Sequence, residues 1–225
     1  MNWEVQIQMN ERLFLRDPAQ SELGRNIVKK GLEMIEKLGL EEFTFKKLAA
    51  VLKTNESSIY RYFENKHRLL IYLAAWYWRW MEYQVMIQTT NLTNADEKIE
   101  AILKILLLKT DGELAGGIGL NKEILHKVVI KEGSKTYLTN HVSADNKLQL
   151  FHPYKDLCGR IASVFLEKNK EYKYARSLAT TLMEMAHFQY YFMNHLPSLT
   201  DFGLQKDDQE LYNFLKSLVH NSLKK

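Results

Sequence analysis

The chain has 225 residues, of which 46% are hydrophobic and 26% charged, enough to bury a substantial core in one large or two small domains. No run of roughly 18 apolar residues occurs, so no membrane span is expected. The opening MNWEVQIQMNERLF carries acids and lacks an apolar core, unlike a secretion signal. A single cysteine, Cys158, excludes a disulfide within the chain and suits a reduced, cytoplasmic setting. The net charge of +4 is too small by itself to imply a nucleic-acid partner.

In chain order, Val5, Ile7 and Met9 alternate with polar residues, as in a short extended arm at the front of residues 1–21. Prolines stand only at positions 18, 153 and 197, leaving long stretches free for helix. The first helix is predicted over 21–38, with Ile27, Gly31, Met34, Ile35 and Leu38 on one stripe and Gly39 as its C-terminal cap. Thr44 is placed to cap a short helix bearing Leu48, Ala49 and Leu52. Asn55 caps the next, with Ile59 and Phe63 facing inward, and Asn65 caps a long helix toward Thr90. Further helices are predicted over 96–109, 121–131, 154–168, 172–195 and 207–223, while the polar, turn-rich 133–151 reads as a long loop. The expected fold class is all-α.

Two short helices joined by a tight turn, with the small Ala49 at their crossing, make a helix-turn-helix whose second helix fits a major groove. The stretch 44–70 holds six basic residues against two acidic ones, a local excess able to attract phosphate. The outward face of the second helix is expected to carry Glu56, Ser57, Ser58, Tyr60, Arg61 and Tyr62. For Tyr62 packing is an equal alternative.

These residues resemble the N-terminal DNA-binding domain of the TetR family of transcriptional regulators over about Leu23 to Tyr72. The match rests on Thr44, Leu48-Ala49, Tyr60-Arg61-Tyr62-Phe63, Lys66 and Leu69-Leu70, after a first helix ending at Gly39. The resemblance implies a three-helix DNA-binding domain over 1–70 and a larger helical ligand-binding and dimerisation domain over 71–225. It implies phosphate contacts from Thr44, Tyr60 and Lys66. Lys46, Glu56, Ser57, Ser58 and Arg61 are the candidates for base edges, Lys46 or Arg61 suiting guanine. Where the family has glycine in the turn, this chain has Lys53, which must accept a left-handed backbone at roughly 1 kcal/mol and is placed to reach a phosphate.

Beyond Tyr72 the resemblance extends only to helical character. Trp76, Trp80 and Tyr83 share a stripe, and with Met183, His187 and Tyr190 they either line an apolar pocket for a small effector or pack as ordinary core. The helix from Tyr172 to His195 is apolar nearly all round, so one side needs a partner. Together with the helix from Asp207 to Leu223 it suits a homodimer interface. Two Glu-x-x-His pairs, Glu123/His126 and Glu184/His187, have the spacing of metal-binding bundles, although pairs this short arise readily by chance. No metal, cofactor or catalytic set is expected. The leading expectation is a ligand-responsive regulator, a repressor, binding double-stranded DNA with a palindromic operator as a homodimer. The alternative is a helical bundle binding a metal or small ligand, with a vestigial DNA-binding head.

Overall fold

The computed structural model describes residues 9–108 and 118–224. Among them the chain is all-α: α1 Glu22–Glu42, α2 Phe45–Val51, α3 Glu56–Tyr60, α4 Lys66–Thr90, α5 Ala95–Leu106, α6 Lys122–Glu132, α7 Val142–Lys147, α8 His152–Lys168, α9 Ala175–His195 and α10 Asp208–Ser222. Two compact units result, one of residues 1–80 and 113–153, the other of 81–112 and 154–225. Val5, Ile7 and Lys109, which the sequence reading placed in an arm and at a helix end, lie outside the described residues.

The helix starts follow capping chemistry. A helix leaves its first backbone N–H groups without internal acceptors, and a short side-chain oxygen at the N-cap supplies one. Ser21, Thr44, Asn55, Asn94, Asn121 and Asp207 each do so for the helix that follows. Asn65 does the same for α4, accepting from the Arg68 N–H at 2.9 Å. At Gly39 the φ of +76° ends the regular turns of α1 where a side chain would be strained, as the sequence predicts.

In the first unit α1, α2, α3 and the start of α4 close over Ile27, Val28, Leu32, Ile35, Leu48, Ile59 and Phe63, all at most 1% exposed. Burial of side chains this size contributes about 1.5–3 kcal/mol each, enough to hold the five-residue α3 in place although so short a helix is unstable alone. Gly31 lets α4 approach α1, since a Cβ there would stand 2.8 Å from the Leu69 side chain. Every residue from 69 to 78 of α4 is buried, so this part of the helix is covered on all sides. In the second unit α10 packs on α5 and α9. Ion pairs from Lys216 to Glu100, Lys168 to Asp96 and Lys98 to Glu167 fasten its rim.

Three expectations change. Residues 133–151 are not a structureless loop: a 3-10 turn at Gly133–Thr136 and the helix α7 lie there. Asp145 of α7 is buried, 2.8 Å from the Arg68 guanidinium. A partner 77 positions away leaves no local periodicity, which is why polar composition misread the segment. α9 begins at Ala175 instead of Tyr172, because Asn169 closes a turn after α8 by accepting from the Glu171 N–H at 3.1 Å. α8 begins two residues early, at His152, since Pro153 is tolerated in a first turn.

Candidate nucleic-acid interface

α2 and α3 are held at a fixed angle by their shared apolar side, with Leu48, Ala49 and Ile59 buried. The turn between them is closed by the Lys53 N–H on the Ala50 carbonyl and the Thr54 N–H on that of Ala49. Lys53 takes φ +52°, the left-handed conformation that the missing glycine demands. Lys53→Gly is therefore expected to raise stability by about 0.5–1 kcal/mol, seen as a higher denaturation midpoint at unchanged slope. A lower midpoint would mean that the turn carries no strain.

The outer surface is polar and largely unengaged. Lys46, Lys53 and Arg61 are exposed, without ion pairs among the described residues. The Thr44 hydroxyl accepts from the Lys47 N–H at 3.2 Å, which keeps it at the start of α2. Ser57 and Ser58 both donate to the side-chain oxygen (Oδ1) of Asn55 at 2.7 Å, so their hydroxyls are pinned at the start of α3 beside the half-buried Glu56. Tyr60 packs the edge of its ring on Phe45, centroids 5.1 Å apart, and remains 46% exposed. Its hydroxyl forms no hydrogen bond among the described residues.

Tyr62 takes the packing alternative, and Lys66 sits elsewhere than expected. Tyr62 does not face outward: it is buried, and its hydroxyl lies 2.8 Å from the Ser21 hydroxyl. Lys66 turns toward its own chain. Its ammonium donates to the carbonyls of Leu40, Glu41 and Phe43 at 2.8, 2.9 and 3.2 Å. A cation in the first turn of α4 opposes that helix's dipole, and the carbonyls at the C-terminal end of α1 relieve the conflict without any DNA. The three N–H groups of the ammonium are thereby committed.

What sequence reasoning missed is the support behind this head. The carboxylate of Glu132, the last residue of α6, accepts from the buried Leu40 N–H at 3.1 Å and lies 2.8 Å from the Lys135 ammonium. Lys135 in turn reaches Glu41 at 3.1 Å, and its carbonyl meets the His67 ring at 2.9 Å. The acidic hydrogen-bond partners push the Lys135 ammonium above its usual range. No short-range signal marks a contact 92 positions apart.

Of the residues named for an effector, Trp76 and Trp80 belong to the first unit and are buried. Lys122 stands over the Trp80 ring at 5.8 Å. The Trp76 N–H is buried without a hydrogen-bond acceptor in good geometry, although the Tyr72 hydroxyl is close enough to feel it. Tyr83, Met183, His187 and Tyr190 belong to the second unit, Met183 and His187 buried and the two tyrosines half-buried. An open cleft of 480 Å³ in the first unit, between residues 9–12, Arg79 and residues 149–153, is lined by none of these six. His126 hydrogen-bonds the Tyr77 hydroxyl at 2.8 Å, and Glu184 accepts from Tyr154 at 2.7 Å. Among the described residues no three His, Cys, Asp or Glu side chains gather as a metal site requires.

Residues 27–73 match the family described as bacterial regulatory proteins, tetR family. They form a tetR-family N-terminal domain. Among curated proteins none matches the chain at a significant level. In solved structures the fold recurs in AibR in complex with isovaleryl coenzyme A and operator DNA, at 16% identity and TM-score 0.59, covering 86% of this chain and 97% of that one. It recurs in the fatty acid degradation regulator FadR from Bacillus halodurans, at 14% identity and TM-score 0.57, covering 92% and 95%. At these identities the likeness is one of fold. No helix among the described residues is long and apolar enough to cross a membrane. The tetR-family domain begins within α1 and ends within α4, so Lys53, Glu132's partner Leu40 and the Lys66 cap all fall inside it.

Proposed function

We propose that the chain is a ligand-responsive transcription regulator, a repressor, that binds a near-palindromic operator as a homodimer. The observation that carries this reading is the set of exposed cations Lys46 on α2, Lys53 in the turn and Arg61 at the C-cap of α3, which form no ion pair among the described residues and are set on the rigid apolar side of a tetR-family domain. Residues 1–70 form the DNA-binding part, and 71–225 the effector and dimer part. Thr44, Lys53 and Tyr60 position the head on phosphates, while Lys46, Glu56, Ser57, Ser58 and Arg61 approach base edges. Lys66 fixes the end of α1 against the start of α4, and it contacts phosphate only by releasing one of its three carbonyls.

The dimer is formed through α9 and α10. Phe188 and Phe214 are 48% and 40% exposed on these helices, and Phe188 stacks on Phe192 at 6.1 Å, an apolar surface that a second copy would cover. Effector contacts are assigned to Tyr83, Met183, His187 and Tyr190 in one unit and, separately, to Trp76 and Trp80 in the other. An acyl thioester is the first effector to try, because AibR is described with isovaleryl coenzyme A.

Duplexes bound from a random-sequence pool should converge on a near-palindrome, with affinity falling steeply as salt rises. Sedimentation at micromolar concentration should show a dimer. No enrichment of any duplex would sink the DNA reading, and a monomer alone would sink the interface.

A further inference from the structure

The segment ahead of α1 is given no contact of its own in the reading above, yet it is built onto the reading head. Leu13 is buried, and the Phe14 ring meets Tyr72 edge-on with centroids 6.1 Å apart. The Leu15 N–H donates to the Tyr62 carbonyl at 2.8 Å, and Ser21, the N-cap of α1, bonds the Tyr62 hydroxyl at 2.8 Å. Between these two anchors lies Arg16, its guanidinium carbon 5.4 Å from the centre of the Tyr62 ring. Tyr62 follows α3 by two residues, so Arg16 is held at the C-terminal end of the helix that faces DNA, where Arg61 is the C-cap.

Both guanidiniums are exposed, and neither has an ion-pair partner among the described residues. An aromatic face beneath Arg16 restrains its side chain in advance, which lowers the entropy lost on meeting a ligand. The planar fork of a guanidinium matches phosphate oxygens.

We infer that Arg16 is a phosphate contact on the same duplex that α3 reads, so that the segment before α1 extends the footprint of the head. This rests on the DNA-binding reading above. A phosphate contact carries no sequence information, so Arg16 adds affinity for every duplex alike.

The test uses the full chain with two probes, a duplex selected by the parent protein from a random pool and an unselected random-sequence duplex. Arg16→Ala should weaken both by the same factor, about 3–10-fold at roughly 0.1 M salt, and make the salt slope shallower by about 0.9. Arg16→Lys should keep the parent slope, since it keeps the charge. An unchanged slope for Arg16→Ala, with affinity kept or lowered, overturns the inference, because a loosened fold alters the active fraction and leaves the counterion count alone. The DNA-binding reading then still stands. A parent protein that binds neither probe removes that reading and this inference together.

Discussion

Replacing Glu132 by alanine should destabilise the protein by about 2–3 kcal/mol and loosen its grip on DNA. The Glu132 carboxylate is the acceptor for the Leu40 N–H, which follows directly on the left-handed Gly39 and is buried. Removing it leaves that N–H without a partner, at about 1–3 kcal/mol, and takes the counter-charge from Lys135. Lys135 is 40% exposed, so water compensates most of the second loss and the full penalty of a broken buried pair does not apply. For a chain this long the melting temperature should fall by about 4–12 °C. Glu132→Gln keeps an acceptor for Leu40 and loses only the charge, so it should cost about 1 kcal/mol. Thermal melts of the three proteins check the order. Equal losses in both variants would mean that the charge, and not the hydrogen bond, holds the turn. The effect on DNA follows from position, because residues 40–43 lead straight into Thr44 and α2.

The second large effect is one of pH. Burial inside the second unit pushes the His187 imidazole down to about 4, since the charged form loses its water there. In the unfolded chain the same group titrates near the ordinary imidazole value of 6.5. Between those two values the unfolded state binds more protons than the folded state, so stability rises with pH across the window. On acidification the contribution of His187 is intact above the unfolded value and is lost as pH falls through the window toward 4, by about 3 kcal/mol in total. Glu100 loses stabilisation in the same direction at lower pH, because its hydrogen bond to Lys216 holds the carboxyl below its usual range. Denaturant titrations between pH 7 and 4 should show this decline, and His187→Gln should flatten most of it. A decline of the same size in the variant would assign the acid sensitivity to other groups.

The helical order of the chain was legible because its signals are local. Capping side chains sit within three residues of the N–H groups they serve, and the stripe through Ile27, Gly31 and Ile35 repeats with the helix itself. The helix-turn-helix could be read for the same reason, down to the positive φ that Lys53 must adopt. The missing glycine implies that conformation wherever the motif folds. Residue type and spacing sufficed for these statements, since each concerns groups a few positions apart.

Sequence by itself thus determined the all-α class and the tetR-family head. Only the tertiary structure decided how four charged side chains act. Lys66 reads as a phosphate ligand by type and place, yet it is bound by the carbonyls at the C-terminal end of α1, 23 to 26 positions away. Glu132 and Asp145, in stretches that read as an ordinary helix end and a polar loop, are buried braces for Leu40 and Arg68. Arg16 reads as one more cation ahead of the first helix, and the Tyr62 ring sets it beside α3. A charge is defined by what surrounds it, and those surroundings come from chain segments brought together by burial of the apolar core, which no local pattern records.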